Sequence, residues 1–363
     1  MVFKKKRKIE IYFSDSEDGE PEEPPKKKSK QTTKPTKEPV INFSGLEMDS
    51  IRTLGELIHF AKFLERKYRR RKKIGLLSVT NCIEELESLN NMIGLENLKL
   101  QVTQQLMFFL MGLNKDEMMH TVISGPPGMA KTTAANKLAR IYAKLGFLSE
   151  GHVINATRAD MVGQFLGETS LKTRDLLEHS RGGVLLIDEA YSLGSKDGRD
   201  SFSAECINTI NQFLSENSED FMCIIAGYEK ELRTNFFSAN PGLERRFPWW
   251  FRLNPYTEDE LADIFFYQIR VASWTCEETV TKEFVKKILL RRRELFSNNG
   301  GDTLIFFDKC KVAHSRRVFL ADPSERKILT RGDINEGYDL LRSLKKSNGS
   351  KKGPSDAIMA MYL

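Results

Sequence analysis

Eight consecutive residues have the composition and spacing of a phosphate-binding loop. They are Gly125, Pro126, Pro127, Gly128, Met129, Ala130, Lys131 and Thr132. The stretch 121–124 before them predicts a short strand and the stretch 132–146 after them predicts an amphipathic helix, which is the context such a loop requires. Backbone N–H groups of the loop and of the first helical turn would surround phosphate oxygens. The alternative is a Gly-Pro turn that happens to precede Lys and Thr.

The end of this phosphate loop (residues 125–132) suits the chemistry of ATP with Mg²⁺. We expect Lys131 to contact the β- and γ-phosphates and the Thr132 hydroxyl to bind Mg²⁺. Thr133 completes the predicted nucleotide-binding residues. The position before the lysine is usually glycine, and here it is Ala130. We predict that its methyl group is tolerated, because the helix already begins there and φ need not be positive.

Two adjacent carboxylates follow a second apolar run. Residues 183–187 predict a strand buried on both faces of a parallel sheet, and the strand ends in Asp188 and Glu189. Buried carboxylates are costly without partners, so this acid pair predicts a function. Asp188 would hold Mg²⁺, and Glu189 would be the general base that activates water. The alternative is a strand-to-helix turn in which Asp188 is an N-cap.

With these motifs, the chain resembles the AAA+ ATPases, in the branch that contains the red-type Rubisco activase and the stage V sporulation protein K. The shared runs lie in family order over roughly residues 88–342, and they include 92–95, 120–128, 162–169, 182–193, 225–228 and 240–247. The stretches 224–232 and 313–319 look most like homologues in large DNA viruses. The resemblance implies a ring, most often a hexamer, that hydrolyses ATP with Mg²⁺.

The resemblance also implies roles for single residues outside the phosphate loop. Arg246 matches the arginine finger that reaches a neighbouring subunit's γ-phosphate, with Arg245 as the second candidate. Phe165 matches the loop that lines the central pore and grips a polypeptide. Ile93 and Gly94 match the segment that packs on adenine. Without the resemblance, Arg245 and Arg246 would be interpreted as a solvated pair and Phe165 as a buried residue in a turn. The stretch 93–94 would be interpreted as a helix-entry turn.

Two departures from the family pattern bear on the rate of hydrolysis. The arginine with which the family's lid senses the γ-phosphate is replaced by Gly301, and Arg316 and Arg317 lie some four turns further along the same predicted helix. Tyr228 stands where many AAA+ members have Asn or Thr to position water. We therefore expect slow turnover that is coupled to assembly or substrate.

The order of elements predicts an α/β fold with a parallel sheet, helices on both faces and a small α-helical lid domain. Strands are expected near 121–124, 152–156, 184–187, 222–226 and 250–253. We predict a disordered charged tail at 1–42, a helical segment with a basic run at 43–87, the nucleotide-binding domain at 88–254, the lid at 255–343 and a flexible tail at 344–363. A helix over 49–73, capped by Asp49 or Ser50, and a second over 78–88 would form a docking module or a brace.

Composition and cysteine usage narrow the cellular setting. The five cysteines have no close pairs and no metal-ligand spacing with the five histidines, which is typical of a reducing compartment. Apolar runs are too short to cross a bilayer, and no apolar stretch follows the basic N-terminus. The expected location is the nucleus or cytoplasm of a eukaryotic cell, with a virus-infected cell as one setting. The cluster Lys4–Lys8 is a nuclear import signal or part of a solvated tail.

The distribution of charge separates two kinds of partner. The stretch 1–40 has 11 basic and 8 acidic residues, a net charge of +3, and the stretch 62–73 has 8 basic and 1 acidic, a net charge of +7; with +6 for the whole chain, the remainder carries −4. The body is therefore not a nucleic-acid surface, although Lys67–Lys73 could contact nucleic acid. The predicted function is chaperone-like threading of a protein substrate by a homo-oligomeric ATPase. The alternatives are a nucleic-acid motor or loader, and an ATP-gated assembly protein with little hydrolysis.

Overall fold

The computed structural model of the chain describes residue 43 and residues 50–70, 75–113, 117–165, 167–195, 200–217, 220–320 and 326–349. The predicted tail at 1–42, with its cluster Lys4–Lys8, lies outside the described residues, as do Lys72, Lys73 and residues 350–363. Among the described helices, none is long and apolar enough to cross a membrane.

Five parallel strands form the central sheet. They are β1 (Thr121–Ser124), β2 (Val153–Ala156), β3 (Val184–Ile187), β4 (Met222–Gly227) and β5 (Trp249–Arg252), and their spatial order is β2-β3-β4-β1-β5. β1 lies between β4 and β5, so that Thr121 pairs with Ile224 on one side and with Trp249 on the other. The predicted fold class is confirmed, because helices cover both faces of a parallel sheet.

Alternation of side chains along the strands divides the core into two layers. Ile123 and Leu186 point into the larger cluster, whereas Val122 and Leu185 point into the other. The inner strands β1 and β3 are buried at every position. Burial on both faces explains why they read as uninterrupted apolar runs rather than as alternating patterns.

Twelve α-helices lie in the described residues. They are α1 (Leu54–Tyr68), α2 (Ile83–Asn90), α3 (Glu96–Leu110), α4 (Lys131–Lys144), α5 (Arg158–Met161), α6 (Glu168–His179), α7 (Ser201–Glu216), α8 (Glu229–Glu231), α9 (Glu258–Val271), α10 (Lys282–Arg291), α11 (Gly300–Val318) and α12 (Arg331–Gly349). Shorter 3₁₀ turns include Gly75–Cys82 and Glu244–Arg246, and residues 232–236 form a π-helical turn.

The first helix begins later than the sequence pattern predicted. Its cap is Thr53, not Asp49 or Ser50: the Thr53 hydroxyl accepts from the Glu56 N–H at 3.2 Å, and the Glu56 carboxylate accepts from the Thr53 N–H at 2.8 Å. This reciprocal box satisfies two backbone donors at once, so it outcompetes the caps further upstream. The predicted second helix at 78–88 is a 3₁₀ turn followed by α2.

The segment before residue 88 packs as a brace. Leu57, Leu64 and Leu86 are buried in the same cluster as Leu106 and Leu138, which lie on α3 and α4. Ion pairs at 2.5 Å join Lys62 to Glu87 and Lys144 to Glu85. Of the two alternatives for this segment, the packing favours the brace over a free docking module.

The lid is helical with one small exception. Helix α11 packs against α9 and α12, and a two-stranded parallel ladder of β6 (Thr275–Cys276) and β7 (Ile328–Leu329) joins its loops. Sequence analysis did not predict this ladder. The last helix runs to Gly349, beyond the predicted end of the lid at 343. Lys345 is anchored rather than frayed, because its ammonium lies 2.8 Å from Asp302.

Candidate nucleotide-binding site

The phosphate loop joins β1 to α4 through two residues in the left-handed region. Gly128 has φ +71° and Ala130 has φ +54°. The prediction that Ala130 avoids positive φ was wrong. The helix begins at Lys131 rather than at Ala130, and Ala130 is the N-cap through which the chain turns into the helix. An alanine in this conformation is strained by about 1 kcal/mol relative to glycine.

Lys131 and Thr132 form the first turn of α4, beside the acid pair. The Lys131 side chain is buried, and its ammonium donates to the Pro126 carbonyl at 2.8 Å. Burial lowers the pKa of Lys131, while the charges of Glu189 and Asp188 act in the opposite direction. The Thr132 hydroxyl donates to the Asp188 carboxylate at 2.5 Å, which brings together the two residues predicted to bind Mg²⁺.

The two residues of the acid pair are in direct contact through the backbone of Glu189. The Glu189 N–H donates to the Asp188 carboxylate at 2.9 Å, and Glu189 itself has φ +52°. Burial, followed by the neighbouring charge of Asp188, raises the pKa of Glu189, whereas Lys131 opposes that shift. A carboxylate with a raised pKa is a stronger base, which suits proton abstraction from water.

A hydroxyl and a carboxylate are the hard oxygen donors that Mg²⁺ prefers. Mg²⁺ usually takes only one or two protein ligands beside waters and substrate phosphates, so Thr132 and Asp188 fit a Mg²⁺ that is shared with a nucleotide. The Thr132 hydroxyl, in the first turn of α4, already contacts the Asp188 carboxylate that follows β3, so the two oxygen donors that would hold the ion lie side by side.

A cavity of about 580 Å³ adjoins the phosphate loop. Its lining combines residues 88–93, the start of α4 and the lid, and includes Ile93, Thr133, Tyr256, Ile264 and Gln268. Gly94 lies against the lid, because an added Cβ there would meet the Tyr256 ring at 3.2 Å. The structure thus brings the predicted adenine segment beside the phosphate loop. The lid residues were not predicted individually, because the sequence did not show which face of α9 would meet the loop.

The lid touches the phosphate loop through one buried asparagine. The Asn299 amide nitrogen donates to the Pro127 carbonyl at 3.1 Å, and its oxygen accepts from the Tyr256 N–H at 3.3 Å. Beside it, the Gly300 N–H donates to the Gly128 carbonyl at 3.1 Å. This seam of hydrogen bonds ties the lid to the loop that is predicted to hold phosphate.

The structure shows the surroundings of Gly301, where the chain departs from the family pattern, and of Arg316 and Arg317. Gly301 follows the seam, and among the described residues no heavy atom outside its own stretch of α11 lies within 4 Å of where its Cβ would stand. Arg316 pairs with Glu336 at 2.7 Å, and Arg317 pairs with Asp333 at 3.0 Å. Both arginines are thus engaged inside the lid and do not replace a sensor at Gly301.

The two candidate finger residues differ in their surroundings. Arg246 donates to the Ser215 hydroxyl through Nε at 2.8 Å and to the Gly242 carbonyl at 2.6 Å, so its guanidinium is held at the end of α7. Arg245 is exposed, and within the described part of the chain it makes no hydrogen bond or ion pair. Arg246 is therefore engaged within the subunit, and Arg245 is available for a contact with a neighbouring subunit.

Phe165 lies on a loop between α5 and α6 and is 68% exposed, so the alternative of a buried Phe is wrong. The Glu168 carboxylate accepts from the N–H groups of Gln164 and Phe165, each at 3.2 Å. The Gly163 N–H donates to the Thr169 hydroxyl at 3.1 Å. The first turn of α6 thus supports a loop that presents an apolar ring to solvent.

Comparison with known proteins gives consistent relatives. The family described as "ATPase family associated with various cellular activities (AAA)" matches residues 121–242. A cfxQ-like protein of Acanthamoeba polyphaga mimivirus is 35% identical over 325 residues, which are 89% of this chain and 77% of that protein. Stage V sporulation protein K of Bacillus subtilis is 35% identical over 252 residues, 66% of this chain and 78% of that protein. The chloroplastic ribulose bisphosphate carboxylase/oxygenase activase of Cyanidioschyzon merolae is 31% identical over 275 residues, 73% of this chain and 92% of that protein. Among solved structures, a RuvB mutant of Thermotoga maritima has a TM-score of 0.49 and 18% identity, with 70% of this chain and 72% of that chain covered.

Proposed function

Because the chain belongs to the AAA family of ATPases and is similar along most of its length to a cfxQ-like protein, we propose that it hydrolyses ATP with Mg²⁺ to remodel a protein substrate. The observation that carries this proposal is the convergence of four side chains at the carboxyl ends of β1 and β3. Lys131, Thr132, Asp188 and Glu189 stand where a triphosphate, a metal ion and a water would meet. The viral relative supports action in the cytoplasm or nucleus of an infected eukaryotic cell.

Each side chain of the site has a distinct task in this proposal. The loop amides and Lys131 bind and orient the phosphates. The N–H donors and the Lys131 ammonium stabilise the negative charge that develops on the γ-phosphate. Thr132 and Asp188 hold Mg²⁺, which neutralises phosphate charge when bound. Glu189 accepts the proton of the attacking water. Asp188 holds Glu189 in place, because its carboxylate accepts from the Glu189 N–H at 2.9 Å.

Completion of the site by a neighbouring subunit is the second part of the proposal. An arginine supplied in trans accelerates related phosphate-loop enzymes by about 10³–10⁵. Arg246 is the residue that the family pattern selects, and the exposed Arg245 is its competitor. Separate substitutions to Ala, assayed at ring-forming concentrations, distinguish them. The finger variant should lose turnover by at least about a hundredfold yet keep its ATP affinity.

Threading of a polypeptide is the third part, and Phe165 supports it. A ring that is 68% exposed and anchored from behind by Glu168 can contact an extended chain without reading its sequence. Phe165→Ala should abolish remodelling of an unfolded protein and leave ATP binding intact. Phe319→Ala is the matched control, because Phe319 is an 84% exposed phenylalanine of the lid. Equal remodelling by both variants would contradict the pore-loop role.

One experiment tests the function as a whole. ATPase rates of the wild type, Lys131→Ala and Glu189→Gln are measured alone and with unfolded protein, DNA or RNA. We expect turnover that unfolded protein stimulates, no ATP binding by Lys131→Ala, and binding without turnover by Glu189→Gln. Stimulation by nucleic acid alone would favour a motor or loader that docks through the basic run 67–73.

The assembly alternative is favoured by a specific observation. Gly301 leaves empty the space that a γ-phosphate sensor would occupy, so binding can proceed without efficient hydrolysis. ATP-dependent oligomerisation with no turnover under any condition would support this alternative. It would also refute the hydrolytic function, because Glu189→Gln and the wild type would then behave alike.

A further inference from the structure

Tyr228 directly follows β4 and contacts the lysine of the phosphate loop. The Lys131 ammonium lies 4.2 Å from the centroid of the Tyr228 ring and donates one hydrogen bond to the Pro126 carbonyl at 2.8 Å. An ammonium over an aromatic face is attracted by the ring's negative face, most strongly when water is excluded. The ring and the carbonyl therefore hold the lysine from two directions.

The plane of this ring is fixed by a second aromatic side chain. Tyr191, which follows the acid pair, stacks on Tyr228 with centroids 5.5 Å apart and an interplanar angle of 24°. The close approach needs a glycine at 227, because an added Cβ there would meet the Tyr191 ring at 2.9 Å. The stack thus presents the Tyr228 face to the lysine in one orientation.

The charges around Lys131 explain why an aromatic support matters. Asp188 and Glu189 attract its ammonium. Across the described residues, however, no carboxylate oxygen lies within 4.0 Å of the Lys131 ammonium. A contact between them would engage the metal ligand or the general base before nucleotide arrives. A ring face attracts the cation without neutralising it, so the acids stay available for Mg²⁺ and water.

The hydroxyl of Tyr228 has no comparable engagement. In the described part of the chain, it forms no hydrogen bond, although the ring on which it stands contacts both Lys131 and Tyr191. The contacts of this residue at the site are those of its π-face.

We propose that the face of the Tyr228 ring is a support for Lys131, which holds the ammonium away from the acid pair and in position for the triphosphate. Tyr228 is thus a positioning residue whose ring, not its hydroxyl, serves this ATPase. This inference rests on the proposed nucleotide-binding function and deepens it.

The test compares variants that separate the ring from the hydroxyl. Affinity for Mg·ATPγS is measured by calorimetry, and kcat and KM are measured with Mg·ATP. Tyr228→Leu removes the ring and should weaken nucleotide binding by about tenfold to thirtyfold, the range of a desolvated cation–π contact. Tyr228→Phe keeps the ring and should restore most of that affinity.

Phe284→Leu controls for the loss of such a contact elsewhere. Arg331 lies 4.8 Å from the Phe284 ring in the lid, so this variant removes a similar pair far from the phosphate loop and should not change binding. Thermal unfolding without nucleotide identifies a variant that fails to fold. If Tyr228→Leu fails, Tyr228→Asn provides the same ringless comparison.

Two results would overturn the inference while leaving nucleotide binding intact. Equal affinities for Tyr228→Leu and Tyr228→Phe would show that the ring does not support the lysine. A loss of kcat in Tyr228→Phe as large as that in Tyr228→Leu would contradict the statement that the ring, not the hydroxyl, serves the ATPase. Failure of the wild type to bind Mg·ATPγS would refute nucleotide binding itself, and this inference with it.

Discussion

The contact between the lid and the phosphate loop makes Gly128 the most informative position to perturb. A Cβ on Gly128 would lie 1.8 Å from the Asn298 carbonyl oxygen and 2.9 Å from the Gly301 nitrogen. Both atoms are backbone atoms at the start of α11, so no side-chain rotation can relieve the overlap. Gly128→Ala must therefore move the lid away from the loop or distort the loop itself.

The cost of this substitution has two parts. An alanine at φ +71° costs about 1–2 kcal/mol. Overpacking, or loss of the bonds from Asn299 and Gly300 if the lid retreats, adds about 1–3 kcal/mol. Gly128→Ala should thus lower the free energy of unfolding by about 2–5 kcal/mol. That corresponds to roughly 4–20 °C in melting temperature at about 2–4 °C per kcal/mol.

Gly146 is a control that separates the conformational cost of an added Cβ from the cost of its contact with the lid. Gly146 has φ +80°, yet no heavy atom lies within 4 Å of its Cβ position. Gly146→Ala should therefore show only the conformational cost of about 1–2 kcal/mol. The assay is thermal unfolding of nucleotide-free protein followed by circular dichroism. Equal losses in the two variants would refute the argument that the lid rests on Gly128.

Three further outcomes are expected. Ala130→Gly relieves a left-handed alanine and should stabilise the fold by up to about 1 kcal/mol; a lower melting temperature would contradict the strain at the N-cap of α4. Gly301→Arg enters open space beside the seam and should tighten Mg·ATP binding several-fold in calorimetry, whereas unchanged affinity would show that the position does not face the phosphates. Burial raises the pKa of Cys82 to about 12 and of Cys206 to about 11, so neither forms thiolate at pH 8. Intact-mass analysis of native protein with iodoacetamide should show both unmodified, and labelling at the unfolded rate would contradict their burial.

The inner strands β1, β3 and β4 were predictable because they are short and buried. β1 and β3 fall at the predicted residues, and the other three strands lie within one residue of the expected ends. Apolar runs between turn residues carry enough information for strands covered on both faces. The ladder of β6 and β7 could not be predicted, because two residues per strand leave no pattern and its partners are far apart in sequence.

The errors within the site come from geometry that depends on the rest of the fold. The conformation of Ala130 is set by the turn that leads from β1 into α4, which no local preference of alanine predicts. The lid residues around the cavity depend on how α9 and α11 dock. The cap at Thr53 is a different case, because the signal was present: a threonine followed three residues later by Glu56 is a capping box.

The continuous apolar cluster beneath the sheet has a consequence for truncation. Leu57, Leu64 and Leu86 lie in one layer with Leu106 and Leu138, so a fragment that starts at residue 88 would uncover part of this layer. Each buried leucine contributes about 1.5–3 kcal/mol relative to its exposed state. A fragment that keeps this layer covered must therefore begin before α1, although the predicted nucleotide-binding residues all lie after it.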